Sequence, residues 1–139
     1  MLGEDYDILE ATNGEEAISL LRQYETEISL VLLDLVMPVM DGFGVLSYMN
    51  ERNWIEDIPV IMISGEDSVS YVRRAFDLGV ADYIKKPFDA QIVYRRVYNT
   101  ITLYAKQRRL LLLVADQIYE KEKKQPNDDQ YFEPDRRVP

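Results

Sequence analysis

One stretch, Leu30-Val-Leu-Leu-Asp-Leu-Val-Met-Pro-Val-Met-Asp-Gly42, restricts the possible folds more than any other part of the chain. It opens with an apolar run, Leu30 to Leu33, that stops on a single carboxylate, Asp34. A short apolar run bounded by polar residues marks a strand buried on both faces, the kind found inside parallel sheets. Met37-Pro38 then blocks a helix, because proline lacks an N–H and restricts the residue before it. Asp41-Gly42 is a turn signal that hands the chain to the next helical pattern. Asp34 is therefore expected at the carboxyl end of a buried strand, where open α/β sheets place their ligands and chemistry. Taken alone, such an aspartate is more readily a loop cap. The rest of the chain decides.

The remaining pattern alternates strands and helices. Tyr6 to Ala11 reads as a short, weakly patterned strand. Asn13, with Glu16 three residues on, is a variant of the helix capping box, and Ala17, Ile18, Leu21 and Tyr24 follow on one stripe. The buried strand covers Ile28 to Asp34. Phe43, Val45, Leu46 and Met49 continue into a second helix that fades near Asn53. Ile58-Pro-Val-Ile-Met-Ile63 is another apolar, β-branched run, its proline at a strand start, ending on Ser64-Gly65. A helix is predicted from about Asp67 to Leu78, with Val69, Val72, Ala75 and Phe76 inward and Gly79 at C′. Val80 to Ile84 forms a last strand leading to Lys85-Lys86-Pro87-Phe88, and Asp89 caps a final helix. This alternation implies a parallel α/β sheet. Its strands end on Asp34, Ser64 and Lys86, so a carboxylate, a hydroxyl and an ammonium share one sheet edge. A carboxylate can accept a phosphoryl group there, while the cation and hydroxyl hold the new phosphate oxygens. The competing reading is three unrelated polar strand ends.

Three ordered motifs carry a family resemblance: Asp34-x-x-Met-Pro-x-Met-Asp-Gly42, Pro59-Val-Ile-Met-Ile-Ser64-Gly, and Gly79-Val-Ala-Asp-Tyr-Ile-Lys-Lys-Pro87-Phe. Over about residues 4 to 105 the chain resembles the receiver (CheY-like) domains of two-component response regulators. The resemblance implies a flavodoxin-like, doubly wound parallel sheet. It implies that Asp34 accepts phosphate from the phosphohistidine of a sensor histidine kinase, with Mg²⁺ in the site. Ser64 would be the switch hydroxyl, Lys86 the lysine that contacts the phosphoryl group, and Tyr83 the aromatic that turns inward when Ser64 moves. The Val36 backbone carbonyl would be a metal ligand beside Asp34. Pro38, Asp41 and Gly42 shape the loop after Asp34, and the Lys86–Pro87 bond is expected to be cis, a form tolerated essentially only before proline.

The chain departs from that pattern at its start. Receiver domains open with a strand ending in an acidic pair that binds Mg²⁺, then a first helix. Met1-Leu2-Gly3 matches only the tail of that helix. Glu4, Asp5 and Asp7 precede the second strand, at the wrong end of the sheet, and read as solvated turn residues. The absent strand is central in the family's order, so its loss leaves unpaired backbone and apolar faces. A strand exchanged between chains, a segment outside this sequence or a rearranged fold would answer that. Mg²⁺ prefers octahedral oxygen ligands, and Asp34 with one carbonyl supplies few of them. Weak Mg²⁺ binding and poor phosphorylation are the expectation.

Composition narrows the alternatives. Across 139 residues the formal net charge is −9, which argues against a nucleic-acid binder whose affinity rests on clustered Lys and Arg. Without Cys or His, thiolate catalysis, Cys-ligated zinc and a histidine phosphate acceptor are excluded. No apolar run reaches bilayer length and no secretory signal is visible, so a soluble cytoplasmic protein with no membrane partner is expected. From Asp89 the helical pattern runs to about Lys124, roughly 50 Å at 1.5 Å per residue. Val97, Tyr104, Leu111 and Ile118 recur at heptad spacing, as do Leu103 and Leu110, interrupted by Arg108 and Gln117. A helical extension over 106–124 that pairs two copies, or a last helix packed on its own domain, both fit. Residues 125–139 are polar and proline-bearing, and are expected to be a disordered tail. Three functions compete: a phosphoacceptor signalling module, a phosphorylation-independent pseudo-receiver or dimerisation fragment, and a haloacid-dehalogenase-like phosphatase. The last needs a second Asp two residues after the nucleophile, where Val36 stands.

Overall fold

The computed structural model describes residues 2–66 and 68–123. Its elements are α1 (Leu2–Asp5), α2 (Gly14–Tyr24), β1 (Val31–Asp34), α3 (Gly42–Glu51), a 3-10 turn (Trp54–Glu56), β2 (Val60–Ser64), α4 (Val69–Asp77), β3 (Asp82–Lys85) and α5 (Ala90–Lys123). The strands form one parallel sheet in the order β1-β2-β3. Register places Asp34 beside Ile63 and Ser64 beside Lys85. All three strands therefore deliver their polar ends to one edge.

Alternation along β2 splits the core into two layers, because successive side chains of a strand point to opposite faces. Val60 and Met62 pack with Ile18, Leu21, Phe43, Val45, Leu46 and Met49 of α2 and α3. On the other face Ile61 and Ile84 pack with Val93 and Val97 of α5, flanked by Leu2 and Tyr6. The Asp5 carboxylate accepts a hydrogen bond from Tyr94, which holds that phenol above its ordinary range and ties α1 to α5. The predicted stripe of α3 is buried throughout, while on α2 Ile18 and Leu21 are buried and Ala17 and Tyr24 half-buried.

The cap of α2 differs in one detail from a standard capping box. Asn13 Oδ1 accepts from the Glu16 N–H at 2.8 Å, as expected. Glu16 reaches back past the N-cap to Thr12, accepting from its backbone N–H at 2.6 Å and its hydroxyl at 2.8 Å. Those bonds hold the Glu16 carboxyl below its usual value, the backbone donor contributing most.

Three expectations are corrected. Tyr6 to Ala11 contains no strand, and Ile8 and Leu9 are half exposed. A strand exists only where a neighbour accepts its ladder, and among the described residues nothing pairs with the outer edge of β1. On α4, Ala75 is buried but Val69 and Phe76 are exposed. At about 100° per residue both lie a quarter turn or more from Ala75, outside the arc that meets the core. The third strand ends at Lys85, one residue before Lys86. Asp67 lies outside the described residues; α4 starts at Val69, with Ser68 Oγ capping the Tyr71 N–H at 3.3 Å. Gly79, at φ 98°, ends the helix in the left-handed conformation expected of C′.

The chain divides into two units, Met1–Tyr104 and Ala105–Pro139. In the second, every residue from 106 to 122 is exposed. The polar segment 125–139 lies outside the described residues. No helix among those described is long and apolar enough to cross a membrane.

Candidate functional site

Asp34 closes β1, and the backbone geometry of that turn aims its carboxylate at the sheet edge. Asp34 Oδ1 accepts from the Val36 N–H at 3.1 Å, and Oδ2 receives the Lys86 ammonium at 2.7 Å. Lys86 is placed there by the ladder itself: its backbone N–H donates to the Ser64 carbonyl at 2.8 Å, extending β3 by one residue. The following Lys86–Pro87 peptide is cis, as the resemblance implies. The ion pair is partly solvated, with the two side chains 42% and 39% exposed, so it contributes little to stability and leaves the carboxylate reachable.

Ser64 is fully buried at the end of β2. Its Oγ accepts from the Glu66 N–H at 2.9 Å. The Tyr83 hydroxyl donates to the Glu66 carbonyl at 2.6 Å. The peptide groups of Glu66 thus link Ser64 to Tyr83. No sequence signal marks Glu66, because its part is played entirely by backbone atoms.

The loop from Asp34 to α3 is held by close backbone packing. The Gly42 N–H donates to the Leu35 carbonyl at 2.8 Å, and Asp41 caps α3 through a 3.0 Å bond from the Gly44 N–H to its Oδ1. A Cβ on Gly42 would lie 2.8 Å from the Asp34 carbonyl oxygen. Pro38 lies at the outer turn, its carbonyl accepting from the Met40 N–H at 2.7 Å. Between them Val39 sits at φ 69°, a left-handed conformation that a β-branched residue rarely adopts. The strain is of order 1–2 kcal/mol, and Val39 is 72% exposed, so its side chain returns little by burial. Replacing it with glycine relieves that strain but adds about 0.5–1 kcal/mol of unfolded-chain entropy. Val39→Gly is expected to stabilise the protein by roughly 0.5–1 kcal/mol in urea unfolding; a loss of stability would mean that the loop is not strained.

The donor set does not fit a Mg²⁺ ion. Among the described residues no three Asp, Glu, His or Cys side chains gather where they could hold a metal. Asp34 with the Val36 carbonyl supplies few of the six oxygens that the cation wants. Glu4 and Asp5 lie in α1, and Asp7 follows it; all three are exposed.

The chain matches the family model for the response regulator receiver domain over residues 1–98. It is 35% identical over 96 residues to the "Probable transcriptional regulator ycf27" of Porphyridium aerugineum, covering 69% of this chain and 38% of that protein. It is 37% identical over 98 residues to the "Probable cyclic di-GMP phosphodiesterase" of Vibrio cholerae, covering 70% and 22%. A chain of the CheX-CheY-BeF3-Mg+2 complex from Borrelia burgdorferi superimposes with a TM-score of 0.64 at 34% identity, covering 70% of this chain and 72% of that one. The chain spans less than two fifths of the two curated relatives, which bear different names over a shared region. By the match over residues 1–98 and these identities the chain, with its α/β flavodoxin-like fold, belongs to the response regulator receiver domain family of two-component signalling.

Proposed function

We propose that Asp34 accepts a phosphoryl group from the phosphohistidine of a sensor histidine kinase, and that the modification resets a protein-interaction surface. Receiver domains interact with histidine kinases in phosphorelays, bind Mg²⁺ in general, and are generally non-enzymatic. For this chain the supporting observation is the Lys86 ammonium lying 2.7 Å from an accessible carboxylate on the same sheet edge as a buried serine. In the transfer, an Asp34 oxygen forms the new O–P bond as the donor's N–P bond breaks, and the imidazole leaves with the electron pair. Phosphorylation adds roughly −1.5 to −2 charge and three strong acceptor oxygens. Lys86 offsets that charge. The Ser64 hydroxyl proton is not used in the bond its Oγ accepts from Glu66, so it can donate to the phosphate. A shift of Ser64 toward the phosphate would stretch that bond, and Tyr83 is held through the same residue. Movement of the Glu66 peptide with Ser64 would release the Tyr83 hydroxyl and let the ring turn inward. The readout is then the surface of α4, β3 and α5, through a shift between two states a few kcal/mol apart. The acidic net charge of −9 argues against nucleic-acid binding by these residues.

Intact-mass measurement after incubation with phosphoramidate and Mg²⁺ tests this. A slow gain of one phosphoryl group is expected, and none in Asp34→Asn. Slowness follows from the poor Mg²⁺ donor set. No gain at all, with a cognate kinase as well as the small donor, would favour the second reading. That reading is a phosphorylation-independent pseudo-receiver or dimerisation fragment, supported by the lack of a three-residue metal cluster among the described residues.

A further inference from the structure

The second half of α5 is apolar where a solvated helix should not be. Leu110 to Val114 are five consecutive apolar residues, all more than half exposed, and Ile118 is 53% exposed. At about 100° per residue, Leu110, Leu111, Val114 and Ile118 fall within roughly 100° of arc, one stripe along the helix. Gln107 and Lys121 lie on that stripe at its two ends. Arg108 and Glu122 flank it on one edge. Such a patch marks an interface.

We propose that this stripe pairs with the same stripe of a second copy, the two helices running antiparallel. The charge pattern selects both the occupant and the direction. Residues 106–109 carry three cations, Lys106, Arg108 and Arg109; residues 116–122 carry three carboxylates, Asp116, Glu120 and Glu122, against Lys121. A parallel pair would place like against like along its length, and would set Lys121 facing the partner's Lys121 inside the seam. An antiparallel pair centred on Val114 reverses these contacts, setting residues 106–109 level with residues 119–122 of the partner. Val114 then meets the partner's Val114, Leu110 meets the partner's Ile118, and Arg108 comes beside the partner's Glu122. Each Lys121 moves to the far end of the seam, away from its counterpart. The arrangement is isologous and closes on itself, as a two-fold dimer requires. It is a property of the 107–122 segment and holds whether or not Asp34 is phosphorylated.

Sedimentation equilibrium on the full chain gives the first readout. A monomer–dimer equilibrium is expected, shifted to monomer by the double change Leu111→Asp and Val114→Asp. Both positions are exposed, so an unchanged circular-dichroism spectrum is expected to accompany the shift. Direction is read by charge exchange: Arg108→Glu and Glu122→Arg should each weaken association by roughly three- to tenfold, and their combination should restore it. Because the chain has no cysteine, oxidative cross-linking gives a second, independent measure. Arg108→Cys and Glu122→Cys proteins should link mainly when mixed. A monomer at every concentration, a dimer indifferent to the Leu111/Val114 change, or stronger linking within each single variant than in the mixture would overturn the proposal. The last outcome would mean a parallel pair.

Discussion

Gly42→Ala is expected to destabilise the protein by about 2–3 kcal/mol. The added Cβ would stand 2.8 Å from the Asp34 carbonyl oxygen, 2.9 Å from Leu35 Cα and 3.0 Å from Met62 Cε. Two of those three atoms are backbone and cannot swing away as a flexible side chain would. Relief requires α3 to retreat from β1, which breaks the 2.8 Å bond from the Gly42 N–H to Leu35 and opens the packing of Phe43, Val45 and Leu46. Alanine's better helix propensity returns at most about 1 kcal/mol, so the net sign is unfavourable. In a domain of this size the melting temperature should fall by roughly 10 °C or more. Gly65→Ala is the matched control. Gly65 lies one residue beyond Ser64, yet a Cβ there meets nothing within 4 Å, and its melting temperature should stay close to that of the parent. Equal effects at the two glycines would mean that close approach at Gly42 is not what requires glycine there.

The contrast between these two glycines bears on what the sequence could reveal. Asp34, Ser64 and Lys86 come to one edge because apolar runs before them form parallel strands, although only β2 approaches burial on both faces; in β1 Leu32 is exposed, and in β3 only Ile84 is buried. Gly42 was readable as a turn residue, but the atom it must avoid, the Asp34 carbonyl, belongs to a strand eight residues earlier and is known only once the loop is closed. Tyr6 to Ala11 failed as a strand for a related reason. Its residues suit a strand, and what they lack is a partner for their backbone, a property of the neighbouring edge rather than of the segment itself. Val69 and Phe76 were counted inward because helical spacing gives a stripe but not its width, and only Ala75 reaches the core. Val39 carried no warning at all, since nothing in a valine announces a positive φ. The heptad spacing at the chain's end was partly misleading. Val97 keeps the spacing yet is buried beside Val93 and Ile84 within the first unit, while Leu111 and Ile118 are exposed.

Removing the ammonium from the site should separate its chemistry from its stability. In Lys86→Ala the ion pair to Asp34 is lost, but both side chains are substantially exposed, so unfolding free energy should change by less than about 1 kcal/mol. The rate of phosphoryl gain should fall far more, by roughly a hundredfold, because a fixed donor aimed at developing charge is worth about that much when removed. In phosphoryl transfer the charge spreads over three equatorial oxygens as donor and acceptor fall in line. Lys86 is the cation already 2.7 Å from the carboxylate that would attack. The effect should be greater here than in a site rich in carboxylate ligands, since among the described residues no acidic cluster can hold a metal to share the load. Lys86→Arg should recover part of the rate, limited by a planar fork that cannot occupy the position of a compact ammonium. Arg96→Ala provides the comparison: it breaks the 3.4 Å pair with Asp82, an ion pair on β3 that does not involve Asp34, and should leave the rate unchanged. If Lys86→Ala gained phosphate as fast as the parent chain, the 2.7 Å contact would be an ordinary surface ion pair, and Asp34 would have to draw its electrophilic help from elsewhere.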